Sequence, residues 1–235
     1  LAIVLAPLAG AIIAGIFGGN IGRGGAHWVT IIGMGVSTIL SMLACKHIVF
    51  DGGEIYNATV YTWLASGDLH LEVGFLIDRL SVTMMVVVTF VSWMIHIYTI
   101  GYMHDDPGYQ RFFSYISLFT FFMLMLVMAN NFLQLFFGWE GVGLMSYLLI
   151  GFWFKREAAI FASLKAFLVN RVGDFGFILG IAAVLMYCHT LDYTQVFDLA
   201  PSLADRTINV IAGHDWSLMS VICICLFIGA MGKSA

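Results

Sequence analysis

Seven stretches of about twenty apolar residues dominate the chain, at about 1–19, 28–50, 80–102, 112–130, 132–154, 160–187 and 216–235. Twenty residues of α-helix rise about 30 Å, the thickness of a bilayer's hydrocarbon core. Among open structures, only a helix satisfies its own backbone hydrogen bonds at that depth. The pattern therefore predicts an all-α polytopic membrane protein. Composition agrees: 61% of the 235 residues are hydrophobic and 10% are charged, against roughly 25% charged in a soluble domain. A net charge of −4 with no basic patch excludes nucleic acid as a partner. The chain begins at Leu1 and stops in GAMGKSA, both inside apolar runs, so it reads as a fragment.

Polar connections separate the spans. GGNIGRGGAH, residues 18–27, reads as a glycine-rich turn. Residues 51–79 carry Asp51, Glu54, Asp68, Glu72 and Asp78, and YNATVYTWL and LHLEVGFL alternate around SGD, the signature of a surface β-hairpin. Residues 188–215 read as a second long polar loop. With the 18–27 turn inside, Arg23, Arg111, Lys155 and Arg156 lie inside, and Lys46, Arg79 and Arg206 outside. Ala6, Gly10, Ala14 and Gly18 recur every four residues, as do Gly176 and Gly180, so helices can approach closely.

Five charges fall inside apolar spans: Glu140, Lys165, Arg171, Asp174 and Lys233. Each costs about 2.5–3.5 kcal/mol at a helix centre, on the order of 12–17 kcal/mol for all five. They must face one another or enclosed water. Arg171 and Asp174, three apart, share a helix face and can pair. Lys165 lies nine residues before Asp174, about 180° round the helix, and looks elsewhere, toward the fifth span or the interface. Glu140 has no cation three or four residues away, so its partner sits on another helix. Gly229 and Gly232 beside Lys233 suit a loosened helix of the kind that carries ions. Structural pairing and a proton pathway both remain open for Arg171 and Asp174. A lysine brought close to a glutamate favours both charged forms, and one moved away favours both neutral forms. Such a pair can load and release a proton.

Other signals are weaker. His96 lies in the third span, and His47 and His189 lie near span ends, without a pair suited to haem. Cys223 and Cys225 point about 200° apart and, like Cys45 and Cys188, read as packing residues. GVGLMS at 141–146 lacks the last glycine and the strand of a dinucleotide fingerprint. No Walker sequence, nucleophile elbow or zinc-ligand spacing is present, so no catalytic residue for covalent chemistry and no metal ligand is expected.

FFGWEGVGLMSYLLIGFW, LKAFLVNRVGDFGFILG and GAMGKSA, with GFLIDRLSVTM, HIYTIGYM and YQRFFSYISLFTFFM, closely resemble one family. It is the subunit L (mitochondrial chain 5) family of antiporter-like subunits of respiratory NADH:quinone oxidoreductase, complex I. The resemblance runs from about residue 74 to the end and is looser in the first two spans. It implies a roughly fourteen-helix fold with two inverted repeats. This chain would hold its first three helices (1–103, with the acidic loop or hairpin at about 51–79) and most of its first repeat (104–235). It implies a proton-handling pair at Glu140 in the fifth helix and Lys233 in a broken seventh, with Lys165, Arg171 and Asp174 at charged positions of the sixth. The implied activity is proton translocation coupled to NADH oxidation and quinone reduction elsewhere in the complex. The chain itself is expected to hold no cofactor, since flavin, iron–sulfur clusters, NADH and quinone belong to other subunits. Implied partners are the other membrane-arm subunits, above all the adjacent antiporter-like one, together with the lipid bilayer of a bacterial inner (cytoplasmic) membrane and protons. The large subunit of multisubunit sodium/proton antiporters is the alternative of the same build. A structural scaffold and a haem-binding electron carrier are the alternatives of other classes.

Overall fold

The computed structural model describes residues 1–66, 69–211 and 213–234. Its elements run α1 (Ala2–Ile16), α2 (Gly18–Cys45, extended by a π-helical turn Lys46–Phe50), β1 (Tyr56–Ser66), β2 (Leu69–Ile77), α3 (Arg79–Tyr102), α4 (Tyr109–Val127), α5 (Phe132–Ile150), α6 (Glu157–Cys188), α7 (Tyr193–Leu203), β3 (Thr207–Ile211), β4 (His214–Ser217) and α8 (Leu218–Ser234). Five helices are long and apolar enough to cross a membrane, and α1 and α8 are shorter apolar helices. These seven occupy the seven stretches read from the sequence. The chain is an integral membrane protein of all-α polytopic design.

Two connections differ from expectation. Residues 18–27 are helical rather than a turn, with one break at Gly22 (φ +69°, ψ −175°), a conformation that favours glycine. Residues 188–215 fold into α7, capped by the Asp192 carboxylate, which accepts from Gln195 N–H at 3.1 Å, and the β3–β4 hairpin. The expected β-hairpin is present, antiparallel from Tyr56 opposite Ile77 to Ser66 opposite Leu69. Gly67 and Asp68 of its SGD turn lie outside the described residues.

Polarity is inverted relative to a soluble bundle. α3 turns Ser81, Thr89, His96 and Thr99 inward and leaves Leu80, Val87, Val91 and Tyr98 exposed. Lipid is as apolar as leucine, so small polar groups bond inward and large apolar ones face out. Pro7 shows how this closes locally. It has no N–H for the carbonyl of Ile3, and Ser37 Oγ donates to that carbonyl at 2.8 Å. Ser117 Oγ donates to Pro7 O, also at 2.8 Å, binding α4 to α1. The Ala6–Gly18 stripe serves this packing: a Cβ on Gly10 would meet Thr30 Cα at 3.3 Å.

On the side of the bundle carrying β1–β2, the α4–α5 junction holds β2 and the start of α7. Leu76 N–H donates to Met128 O at 3.0 Å, Gly74 N–H to Gln134 Oε1 at 2.9 Å, and Tyr193 N–H to Asn130 O at 3.0 Å. Asn131 caps α5 by accepting from Gln134 N–H at 2.8 Å. The start and rotation of α5, and so the direction of Glu140, are set here.

Candidate functional site

Glu140 is the ninth of the nineteen residues of α5, one residue, about 1.5 Å, from the middle of the helix. α5 stops at Ile150, four residues earlier than the apolar run suggests, which makes Glu140 more central than expected. Its cation comes from α6: Arg171 Nη1 forms an ion pair with Glu140 Oε2. The same Nη1 lies 3.8 Å from Asp174 Oδ2, so the expected pair three residues apart on α6 is also present. The Arg171 guanidinium rests over the Phe167 ring at 4.8 Å.

Asp174 is the most deeply buried of the charged residues, 3% exposed. A carboxylate at that depth needs donors. Besides Arg171 it accepts from Trp139 Nε1–H at 2.9 Å. Trp139 is held for this by stacking on Phe177, centroids 4.9 Å apart and planes 7° apart. Its backbone carbonyl accepts from Lys233 Nζ, and the ammonium also lies 5.1 Å from the indole centroid. Gly143 leaves the room for this, because a Cβ there would come within 2.6 Å of Lys233 Nζ.

The result is one connected line, Glu140–Arg171–Asp174–Trp139–Lys233, spanning α5, α6 and α8. Four of the five charges singled out in the sequence meet in it. Glu140 and Lys233 share no direct ion pair among the described residues. Trp139 is the residue the sequence reading missed: its side chain holds one end of the line and its backbone the other. Glu140 Oε1 is buried without a hydrogen-bond partner among the described residues, a free acceptor position at the end of the line. Lys165 is not brought in. It lies exposed on α6, with no ion pair among the described residues.

The glycines beside Lys233 do something other than loosen the helix. α8 is helical through Ser234. Gly232 crosses Gly173 backbone to backbone, a Cβ on Gly173 falling 2.8 Å from Gly232 Cα. Gly176 and Gly180 continue that seam against Ile228 and Leu226. The close crossing delivers Lys233 to the α5–α6 groove.

Residues 63–113 match the family described as NADH-ubiquinone oxidoreductase (complex I), chain 5 N-terminus. Residues 129–235, which contain all five intramembrane charges, match the family described as NADH:quinone oxidoreductase/Mrp antiporter, TM. The NADH-quinone oxidoreductase subunit L of Neisseria meningitidis serogroup B is 60% identical over 237 residues, covering 100% of this chain and 35% of that protein. The NADH-ubiquinone oxidoreductase chain 5 of Arabidopsis thaliana is 46% identical over 235 residues, again covering 100% of this chain and 35% of the relative. The chain thus spans about a third of the length of these relatives. Among solved structures, the Mrp complex from Dietzia sp. superposes with a TM-score of 0.76 at 21% identity, over 99% of this chain and 23% of that one. That likeness shows the antiporter fold. Sequence identity, both family matches and the fold converge: the chain belongs to the subunit L/chain 5 family of antiporter-like subunits of NADH:quinone oxidoreductase.

Proposed function

We propose that this chain is the proton-handling part of a membrane-arm subunit of NADH:quinone oxidoreductase, moving protons through a buried Glu/Lys relay. The observation that carries this is the line of four ionisable side chains inside otherwise apolar helices. Such groups are expensive in lipid and are retained where charge moves. On this reading Glu140 takes up the proton at its free Oε1. Arg171 sets how strongly Glu140 is held charged, and Asp174 with Trp139 passes that influence toward Lys233. Lys165, exposed on α6, serves at an entry or exit, or against a partner.

Residues 1–103 form the supporting helices in this reading, and 104–235 the translocating module. The chain works with the other membrane-arm subunits, the neighbouring antiporter-like one first, in a bacterial inner membrane. Redox centres and quinone reduction lie in other subunits. The sodium/proton antiporter reading draws on a family match that names both and on a fold likeness at 21% identity. The 60% identity to a subunit L favours the complex I reading.

The test is Glu140→Gln in the full-length protein within its complex, with assembly, NADH oxidation and vesicle proton pumping measured together. A complex that assembles but loses most of its pumping supports the relay. Normal assembly with normal pumping removes Glu140 from it.

A further inference from the structure

At the end of the bundle opposite β1–β2 lies a cavity of about 760 Å³ that the proton line does not use. Its walls come from three places: the α1–α2 elbow, the start of α4, and the α5–α6 connection. Arg111, Lys155 and Arg156 line it, with one carboxylate, Asp106. That carboxylate is already engaged, accepting from Gly108 N–H of its own loop at 2.6 Å and from Trp153 Nε1–H of the α5–α6 connection at 2.8 Å. Three cations therefore face the cavity against one engaged acid.

Arg111 is fixed in place. Its guanidinium lies 4.5 Å from the Phe152 ring and 5.0 Å from the Phe154 ring, and Nη2 donates to Phe152 O at 3.2 Å. Its Nε is buried with no partner among the described residues. A planar guanidinium fork with donors to spare suits a tetrahedral oxyanion. The opposite wall is apolar, built from Ala14, Gly15, Gly18 and Gly19; Ala14 and Gly18 are buried, Gly18 close against Gln110, while Gly15 and Gly19 are exposed. A Cβ on Gly19 would meet nothing within 4 Å. Cationic groups and an apolar wall lining one cavity match an amphiphile rather than a soluble anion.

We propose that this cavity is a binding site for an anionic phospholipid. The phosphate is held by Arg111, Lys155 and Arg156, and an acyl chain lies against the exposed Gly15 and Gly19. Its place at the Lys/Arg-rich end of the bundle, beside Trp153 and Tyr115, is the headgroup level of the bilayer. The site is independent of the proton relay.

The experiment uses the intact complex in vesicles of neutral phosphatidylcholine containing a trace of phosphatidylglycerol with a photoreactive acyl chain, and maps adducts by peptide mass spectrometry. An adduct on residues 14–19 or at Tyr115 is expected. Excess unlabelled phosphatidylglycerol should remove it, while further phosphatidylcholine and inorganic phosphate should not. Gly19→Leu, which fills the cavity without changing charge, and Lys155→Gln with Arg156→Gln, which remove charge without filling it, should each cut the adduct at least fivefold. An adduct unchanged in both variants, or displaced as well by phosphatidylcholine, overturns the proposal. Displacement by inorganic phosphate overturns the lipid assignment. The competition series on the unmodified protein decides even if a variant fails to assemble.

Discussion

Replacing Gly173 with Ala tests whether the α6–α8 crossing is as close as described. The added Cβ falls 2.8 Å from Gly232 Cα and 3.3 Å from Gly229 O and Gly232 N. Carbon atoms settle about 3.5–4.0 Å apart, so the helices must separate by roughly 1 Å. The obstructing atoms are backbone and cannot rotate away. Overpacking of this kind costs about 1–3 kcal/mol. Alanine's better helix propensity offsets up to about 1 kcal/mol. A net loss of about 1–2 kcal/mol is expected. Gly101→Ala in α3 is the matched control, since a Cβ there meets nothing within 4 Å. It should be neutral or stabilise by up to about 1 kcal/mol. Both are read by detergent unfolding of the full-length protein at one temperature. Lys233 directly follows Gly232, so the same separation lifts its ammonium from the Trp139 carbonyl, and pumping should fall in a complex that still assembles. Equal stability shifts for the two variants would refute the crossing.

Trp139→Phe keeps an aromatic ring to stack on Phe177 and removes the N–H that reaches Asp174 at 2.9 Å. Hydrogen bonds within membranes average about 0.6 kcal/mol and reach about 1.7, so assembly should survive while coupled pumping drops severalfold; unchanged pumping would leave Trp139 as packing only. The Trp153 indole N–H is the main cause holding the Asp106 carboxyl below its ordinary range, with lesser help from Gly108 N–H, Arg111 and Arg23 and some opposition from burial. A lowered folded value means this stabilisation is present above the unfolded value of about 3.9 and is lost as pH falls through the folded one. Trp153→Phe should therefore melt lower than the parent complex at pH 7, with the deficit closing below about pH 4. A deficit that stays constant with pH would assign it to lost packing instead.

The helices were legible because lipid imposes a length. Seven apolar runs had to become seven helices, whereas their ends, such as Ile150 in place of residue 154, depend on where the chain meets its neighbours. α7 was hidden by its polar composition, although Asp192 at its cap and Val196 and Leu203 seven apart on its buried face carry a helical signal. Residues 18–27 read as a turn because glycines crowd there, yet Gly22 alone takes a glycine conformation. At the site, Glu140, Arg171 and Asp174 stood out through the cost of placing charge in lipid, and spacing correctly set Lys165 on another face. Trp139 left no such mark. A tryptophan in an apolar helix reads as bulk, and a backbone carbonyl has no sequence signal. The glycines near Lys233 fit either a loosened helix or a close crossing, and only the presence of Gly173 opposite decides between them.

The arrangement of charges bears on how a relay of this kind avoids leaking. With all four groups ionised, Glu140 and Asp174 balance Arg171 and Lys233. Unit charges 4 Å apart interact by about 4 kcal/mol even at an effective dielectric of 20. A proton added to Glu140 alone leaves Arg171 short of a partner, and a proton removed from Lys233 alone leaves an acid in excess. On the proposed reading each single step leaves one charge unbalanced, and the two together restore the balance. Glu140 and Lys233 share no direct ion pair among the described residues. On that reading they are coupled through the field of Arg171 and Asp174, with Trp139 holding both Asp174 and Lys233. On the proposed reading, loading at α5 and release at α8 are therefore paired by electrostatics, and weakening any middle member should uncouple the two events before it stops either.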